Sequence, residues 1–475
     1  MKDGLGLADI ATCAGPRPNK PAPRQPAGIL SDPRVLALAE CLRSAHAQMS
    51  DTRWERMACA GSTWASPRAS KPRNRTRSCP LSDTIRCTSA TGNDVLVQTR
   101  CNVHSCNWQH EIVYKGADSV PTKIEWATDV WNPTSGCTKV SQGCKNCYAA
   151  RMAKRLAGRA GYPRDEPFRL TLHPDRLLLP LHWTKPRRVF VDSMSDLFHL
   201  DVPDEYICAV WGAMAAAPQH TFQVLTKRPA RMAAWFESLE RRSTALGNVF
   251  PEDGQEWRRR HILRAALLRQ TGEGTILGIP DDPRWPLPNV WIGTSVEDQS
   301  AANTRIPHLL NCPAEVRFLS CEPLLGPVDL AEFLGPEASE AMTPPGARCG
   351  HHGVLLRGRP CPDCFPDIID WVIVGGESGP GSRPMHPDWV RDIRRQCSSS
   401  RTPFFFKQWG EYVQPSQLAA SNPEAALNIC PERRAFVGSG FNEIRVYRVG
   451  KKAAGALLDG RQWHEMPTSA VPADV

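Results

Sequence analysis

From Lys123 onward, short apolar runs rich in β-branched and aromatic residues alternate with longer helical or turn-rich stretches. The runs are Arg188–Val191, Thr221–Leu225, Val290–Ile292, Val316–Leu319, Trp371–Val374 and Phe404–Phe406. Each is too short for a helix and almost wholly apolar, which is how a strand reads when both faces of a parallel sheet are covered. An extended segment at Lys123–Trp126 is expected to be one more strand, ahead of these. Roughly seven strands with intervening helices predict an α/β fold, a full or partial (β/α) barrel.

Polar or small residues follow nearly every run. In order they are Asp192, Ser193 and Asp196; Lys227 and Arg228; Gly293 to Ser295 with Glu297; Ser320 to Glu322; Gly375, Gly376 and Glu377; then Lys407 and Gln408. Ligands bind at the carboxyl ends of parallel strands, so this recurrence predicts a functional rim. Glu297, Glu322 and Lys407 are the expected catalytic groups, the two glutamates by proton transfer or contact with ribose hydroxyls and Lys407 completing the rim. Asp192, Ser193, Asp196, Lys227, Gly375, Gly376 and Glu377 are the expected cofactor contacts. The same residue types also cap helices, close tight turns and form salt bridges, and those structural roles stay open.

The alternation divides the chain. Residues 1–118 show no sustained periodicity and many Pro, Ser and Arg, and are expected to be a disordered basic extension. Residues 119–412 form the barrel domain, interrupted at 238–288, where a helix is expected around Trp257 to Arg269, and at 332–367. Residues 413–475 are an accessory segment packed outside the barrel or across its end. Much of the net charge of +9 lies in the extension; it suits a polyanion, but a basic tail also explains it. No signal-type start or membrane-length apolar run appears, so a cytoplasmic protein is expected.

In a reducing compartment clustered cysteines read first as metal ligands. Cys137, Cys144 and Cys147 form a C-x(6)-C-x(2)-C loop just after the first expected strand, with glycine before two of the three. Soft thiolates suit iron–sulfur clusters, and three of them on a [4Fe-4S] cluster leave one iron open to a ligand. A structural zinc site completed by a distant fourth ligand is the alternative. A second group, Cys349, His352, Cys361 and Cys364, has spacing suited to zinc, with a loop or an auxiliary iron–sulfur cluster as the other readings. Seven N-terminal cysteines show no convincing ligand spacing, Cys101 and Cys106 around His104 included.

The three-cysteine loop, with Tyr148 directly after the last cysteine, resembles the cluster loop of radical S-adenosylmethionine enzymes. More closely, Ile124–Trp126 with Trp131–Pro133, Phe190–Phe198, Leu225–Pro229, Trp291–Glu297, Phe318–Leu325, Gly375–Gly379 and Phe406–Gly410 resemble the bacteriophage-associated three-cysteine-motif family of radical-SAM-like proteins. The resemblance implies a radical-SAM-type barrel. It also implies a cluster whose unique iron chelates S-adenosylmethionine, an electron donor, and a separately encoded partner protein. Gly375–Glu377 resembles the Gly-Gly-Glu segment that contacts the methionyl amino group in that superfamily. The expected activity is reductive cleavage of S-adenosylmethionine to modify a substrate, with nucleic acid one candidate. The alternative is a non-catalytic zinc- or nucleic-acid-binding phage accessory protein. A metal-dependent barrel hydrolase is disfavoured because the rim lacks histidines.

Overall fold

A computed structural model describes residues 120–122, 124–249, 254–272, 284–335 and 368–467, together with three earlier strands. Those strands, Arg86–Ser89, Asp94–Arg100 and Gln109–Lys115, pair as an antiparallel sheet inside a stretch whose sequence pattern predicts no element. Cys349, His352, Cys361 and Cys364 lie outside the described residues.

Seven parallel strands build the main sheet: β1 (Asp129–Trp131), β2 (Arg188–Val191), β3 (Thr221–Thr226), β4 (Val290–Ser295), β5 (Val316–Cys321), β6 (Trp371–Gly375) and β7 (Phe404–Gln408). Each pairs with the next in chain order, and Val120–Pro121 adds an antiparallel edge beside β1. The result is a half-barrel. Six of the seven strands fall on the apolar runs. The first does not: the backbone turns at Ile124–Ala127, and β1 begins at Asp129. Trp126 is instead buried at 2% exposure in the aromatic interior, so its hydrophobicity reflects a plug and not a strand.

The connections carry α1 (Tyr148–Leu156), α2 (Asp204–Ala216), α3 (Pro229–Leu246), α4 (Gln255–Thr271), α5 (Gln299–Leu310) and α6 (Pro387–Ser400). Helix α4 occupies the position expected for a helix within the first interruption. The boundary at 238, however, falls inside α3, the crossover helix leaving β3; the alternation is broken only beyond Leu246.

Alternate residues of a strand share a face, and this decides the character of the interior. On one face Trp291, Val316, Phe318, Trp371, Ile373 and Phe405 pack with Trp126 into an aromatic cluster, with Phe190 and Leu225 against it. Each buried Trp removes on the order of 200 Å² from water, about 5 kcal/mol of transfer free energy as an upper value. Two to four residues further along the same face, Ser295, Ser320 and Lys407 take over and line a cavity. The half-barrel is thus plugged at the amino ends of its strands and open at the carboxyl ends. The C-terminal segment packs along β7: Phe406 N–H donates to Trp463 O at 2.7 Å, Glu465 N–H to Phe404 O at 3.2 Å, and Trp371 Nε1 to Glu465 O at 2.9 Å. No helix among the described residues is long and apolar enough to cross a membrane.

Candidate functional site

A cavity of about 1030 Å³ opens at the carboxyl ends of the strands, and Cys137, Cys144 and Cys147 all line it. All three are half-buried free thiols. The loop leaves β1 through Gly136, whose φ is +84° and whose Cα faces Arg169 O so closely that a Cβ would collide with it. Only glycine serves there, because the left-handed backbone and the close approach each exclude a side chain.

Three ionic clamps hold the loop. At its start, Arg228 donates to Thr138 O at 3.0 Å, to Cys137 Sγ at 3.4 Å and to Asp196 Oδ2 at 2.9 Å. Asp196 is itself fixed by the Thr226 hydroxyl at 2.7 Å and Lys227 N–H at 3.0 Å. In the middle, Glu297 is 1% exposed and accepts from Ser141 Oγ at 2.8 Å, Lys227 Nζ at 2.7 Å and Arg305 at 2.7 Å. Burial alone would raise its pKa; Lys227 and Arg305 outweigh that and hold the carboxyl below its usual range. At the far end, Glu377 accepts from Asn146 Nδ2 at 3.0 Å and from Arg383 at 2.7 and 2.9 Å, while Arg383 also donates to Gln142 O at 3.0 Å.

These clamps divide the expected site residues by job. Asp192, Ser193, Asp196, Lys227, Glu322 and Lys407 line the cavity. Glu297, Gly375, Gly376 and Glu377 are not on its wall: the two carboxylates tie down the cysteine loop, and Gly376 is pressed against Trp409 O. Ser141, Asn146, Arg305 and Arg383, which the sequence did not single out, supply the other halves of the clamps. Nothing local marks them, since Ser141 and Glu297 are 156 positions apart and Asn146 and Glu377 are 231 apart.

Two groups on the wall are electrostatically unusual. Asp192 has φ +57°, accepts Thr134 N–H at Oδ1 (3.0 Å) and has no hydrogen-bond partner at Oδ2 among the described residues. Burial, aided by nearby Asp196, pushes its carboxyl up to about 8 against the Thr134 contact. Lys407 pairs with Glu322 at 2.8 Å and lies 6.0 Å from the Trp126 ring centroid. Burial would lower the lysine's pKa, but Glu322 more than offsets this and raises it.

The donor set suits a soft metal centre in kind: three thiols on one loop, facing one cavity. Apart from the contacts of Arg228 to Cys137 Sγ at 3.4 Å and of Ser141 Oγ to Cys144 Sγ at 3.8 Å, the clamps leave the sulfur atoms free to turn inward. Burial and Asp196 push the Cys137 thiol up to about 11 against Arg228, so a metal would be needed to hold it as thiolate. Among the described residues no three Cys, His, Asp or Glu side chains stand together in ligating geometry, so the loop must draw its sulfurs inward to bind a metal.

No curated protein and no solved structure matches this chain. Residues 121–467 match the family model described as Protein of unknown function (DUF5131), a span that covers the half-barrel, the cysteine loop and the C-terminal strands, and the chain belongs to that family.

Proposed function

We propose that this protein is a radical-S-adenosylmethionine-like iron–sulfur enzyme in which Cys137, Cys144 and Cys147 hold a [4Fe-4S] cluster. The observation that carries the reading is that all three thiols line one large cavity at the carboxyl ends of a parallel half-barrel. A cluster so held would supply the electron for reductive cleavage of the sulfonium cofactor. The chain's own residues do the rest. The three clamps hold the loop at the cavity, and its thiols turn inward from the wall to take the cluster. Asp192, whose carboxyl burial makes harder to ionise, repels a carboxylate ligand less than an ordinary aspartate would, and Ser193, Asp196 and Lys227 line the path to the loop. The Glu322–Lys407 pair, on the aromatic floor, can hold or move a proton at a substrate atom. At about 1030 Å³ the cavity is at the upper end of the range for one drug-sized ligand, which leaves room for cofactor and substrate together.

Anaerobic purification followed by iron, sulfide and zinc analysis tests the metal, and a dithionite-dependent assay for 5'-deoxyadenosine tests the chemistry. The reading expects about four iron and four sulfide per chain, lost together when Cys144 and Cys147 are replaced by Ala. Zinc without iron, and no affinity for S-adenosylmethionine, would point to the accessory-protein alternative.

A further inference from the structure

From Cys137 to Arg159 the chain carries six basic residues, Lys139, Lys145, Arg151, Lys154, Arg155 and Arg159, and no acidic one. The stretch is the cysteine loop plus α1, and it forms the lip of the cavity. No acidic side chain among the described residues forms an ion pair with any of the six. Lys139, Lys145, Lys154, Arg155 and Arg159 are exposed. Among the described residues these exposed charges therefore have no carboxylate partner, unlike those of Lys227, Arg228, Arg305 and Lys407, each of which is paired with a carboxylate.

Apolar surface is set into the same lip. Val140 (46% exposed), Tyr148 (48%) and Met152 (37%) are three of the six large hydrophobic side chains exposed among the described residues, and all three line the cavity mouth. An exposed aromatic ring among unpaired cations is poorly matched to water. It is well matched to a ligand that is anionic along its length and carries flat apolar faces. Unpaired nucleotides have that chemistry. A duplex does not, because its bases are stacked inward and could not reach a recessed floor built from Trp126, Phe190, Glu322 and Lys407.

We propose that the lip formed by the cysteine loop and α1 binds single-stranded nucleic acid, with Lys139, Lys145 and Arg155 on phosphates and Tyr148 stacked on a base, so that one nucleotide enters the cavity. This names the substrate class for the reaction site proposed above and rests on that site being where chemistry occurs. The binding surface itself needs no metal.

The test is fluorescence anisotropy of the full-length protein with a 20-nucleotide mixed-sequence single strand, made as DNA and as RNA, and with the corresponding DNA duplex. Single strands of one or both kinds should bind at least tenfold more tightly than duplex. The triple variant K139A/K145A/R155A should weaken binding at least tenfold and lower the slope of log K against log salt by about 2, at roughly 0.7 for each phosphate no longer neutralised. Tyr148→Ala should weaken binding about tenfold with the slope unchanged. Photocrosslinks from a thio-substituted strand should map to the peptide spanning Lys139 to Arg155, even if the basic N-terminal residues also bind. If duplex binds as well as single strands, or if the triple variant binds like wild type and cross-links fall elsewhere, the proposal is overturned and the lip is left to a protein partner. Iron and sulfide measured on the same sample separate the two ideas: variant-sensitive binding by an iron-free preparation supports this surface while removing the cluster.

Discussion

Replacing Glu297 by Ala removes the centre of the middle clamp. The carboxylate is almost inaccessible and satisfies three donors at once, Ser141, Lys227 and Arg305, at 2.7 to 2.8 Å. Its loss leaves two cations, with side-chain exposures of 20% and 10%, facing a void. Breaking a buried pair in this way costs about 3–5 kcal/mol. Ser141→Ala alone removes one charge-assisted hydrogen bond, about 1.5–3 kcal/mol. Because both changes break the same interaction, the double variant should lose less than their sum. Glu297→Gln keeps the shape and one acceptor, and should lie between wild type and Glu297→Ala. The measurement is urea unfolding of the metal-free protein, with the rate of thiol labelling as a local readout, since a released loop exposes Cys137 and Cys144. Lys227 and Arg305 keep the Glu297 pKa below its unfolded value near 4.3. The stabilisation is therefore complete above that value and lost as pH falls through the lower folded one. The gap between wild type and Glu297→Gln should be constant from about pH 6 to 8 and close in acid. A Glu297→Ala protein within about 0.5 kcal/mol of wild type, with unchanged thiol reactivity, would refute the tether.

Asp192→Asn should reverse a pH slope. The folded carboxyl keeps its proton to about 8 while the unfolded one releases it near 3.9, so wild-type stability falls between those values, and the variant, which still accepts Thr134 N–H, should gain on wild type as pH rises. Parallel urea midpoints at pH 5 and 8 would contradict this. Gly136→Ala should cost more than about 3 kcal/mol and yield little soluble protein, because the new Cβ meets Arg169 O in a backbone conformation hostile to L side chains; normal expression and thermal melting would disprove it. Arg383→Ala should cost about 2–3 kcal/mol by stranding the nearly buried Glu377, and should speed proteolysis near Asn146. An unchanged cleavage pattern would count against the far clamp.

The sheet is legible in the amino-acid pattern alone. Six strands announced themselves because a parallel strand covered on both faces must be apolar throughout, and their order is simple because each successive strand is laid beside the last. The gathering of polar groups at the carboxyl ends was legible too, since Ser295, Ser320 and Lys407 continue the inward face of runs whose earlier members are Trp, Phe and Val. What the pattern left open was which polar groups face the cavity. Glu297 and Glu322 look alike in the sequence, each just beyond a strand, yet one is buried under the cysteine loop and the other lines the cavity. Their partners, Ser141 and Lys407, come from opposite ends of the domain. Trp126 misled for the same reason, its hydrophobicity belonging to a plug assembled from distant strands. A strand is decided by contacts of nearest neighbours and by its own pattern. The role of a charge is decided by whichever countercharge the closed fold brings against it, and that partner can come from anywhere in the chain.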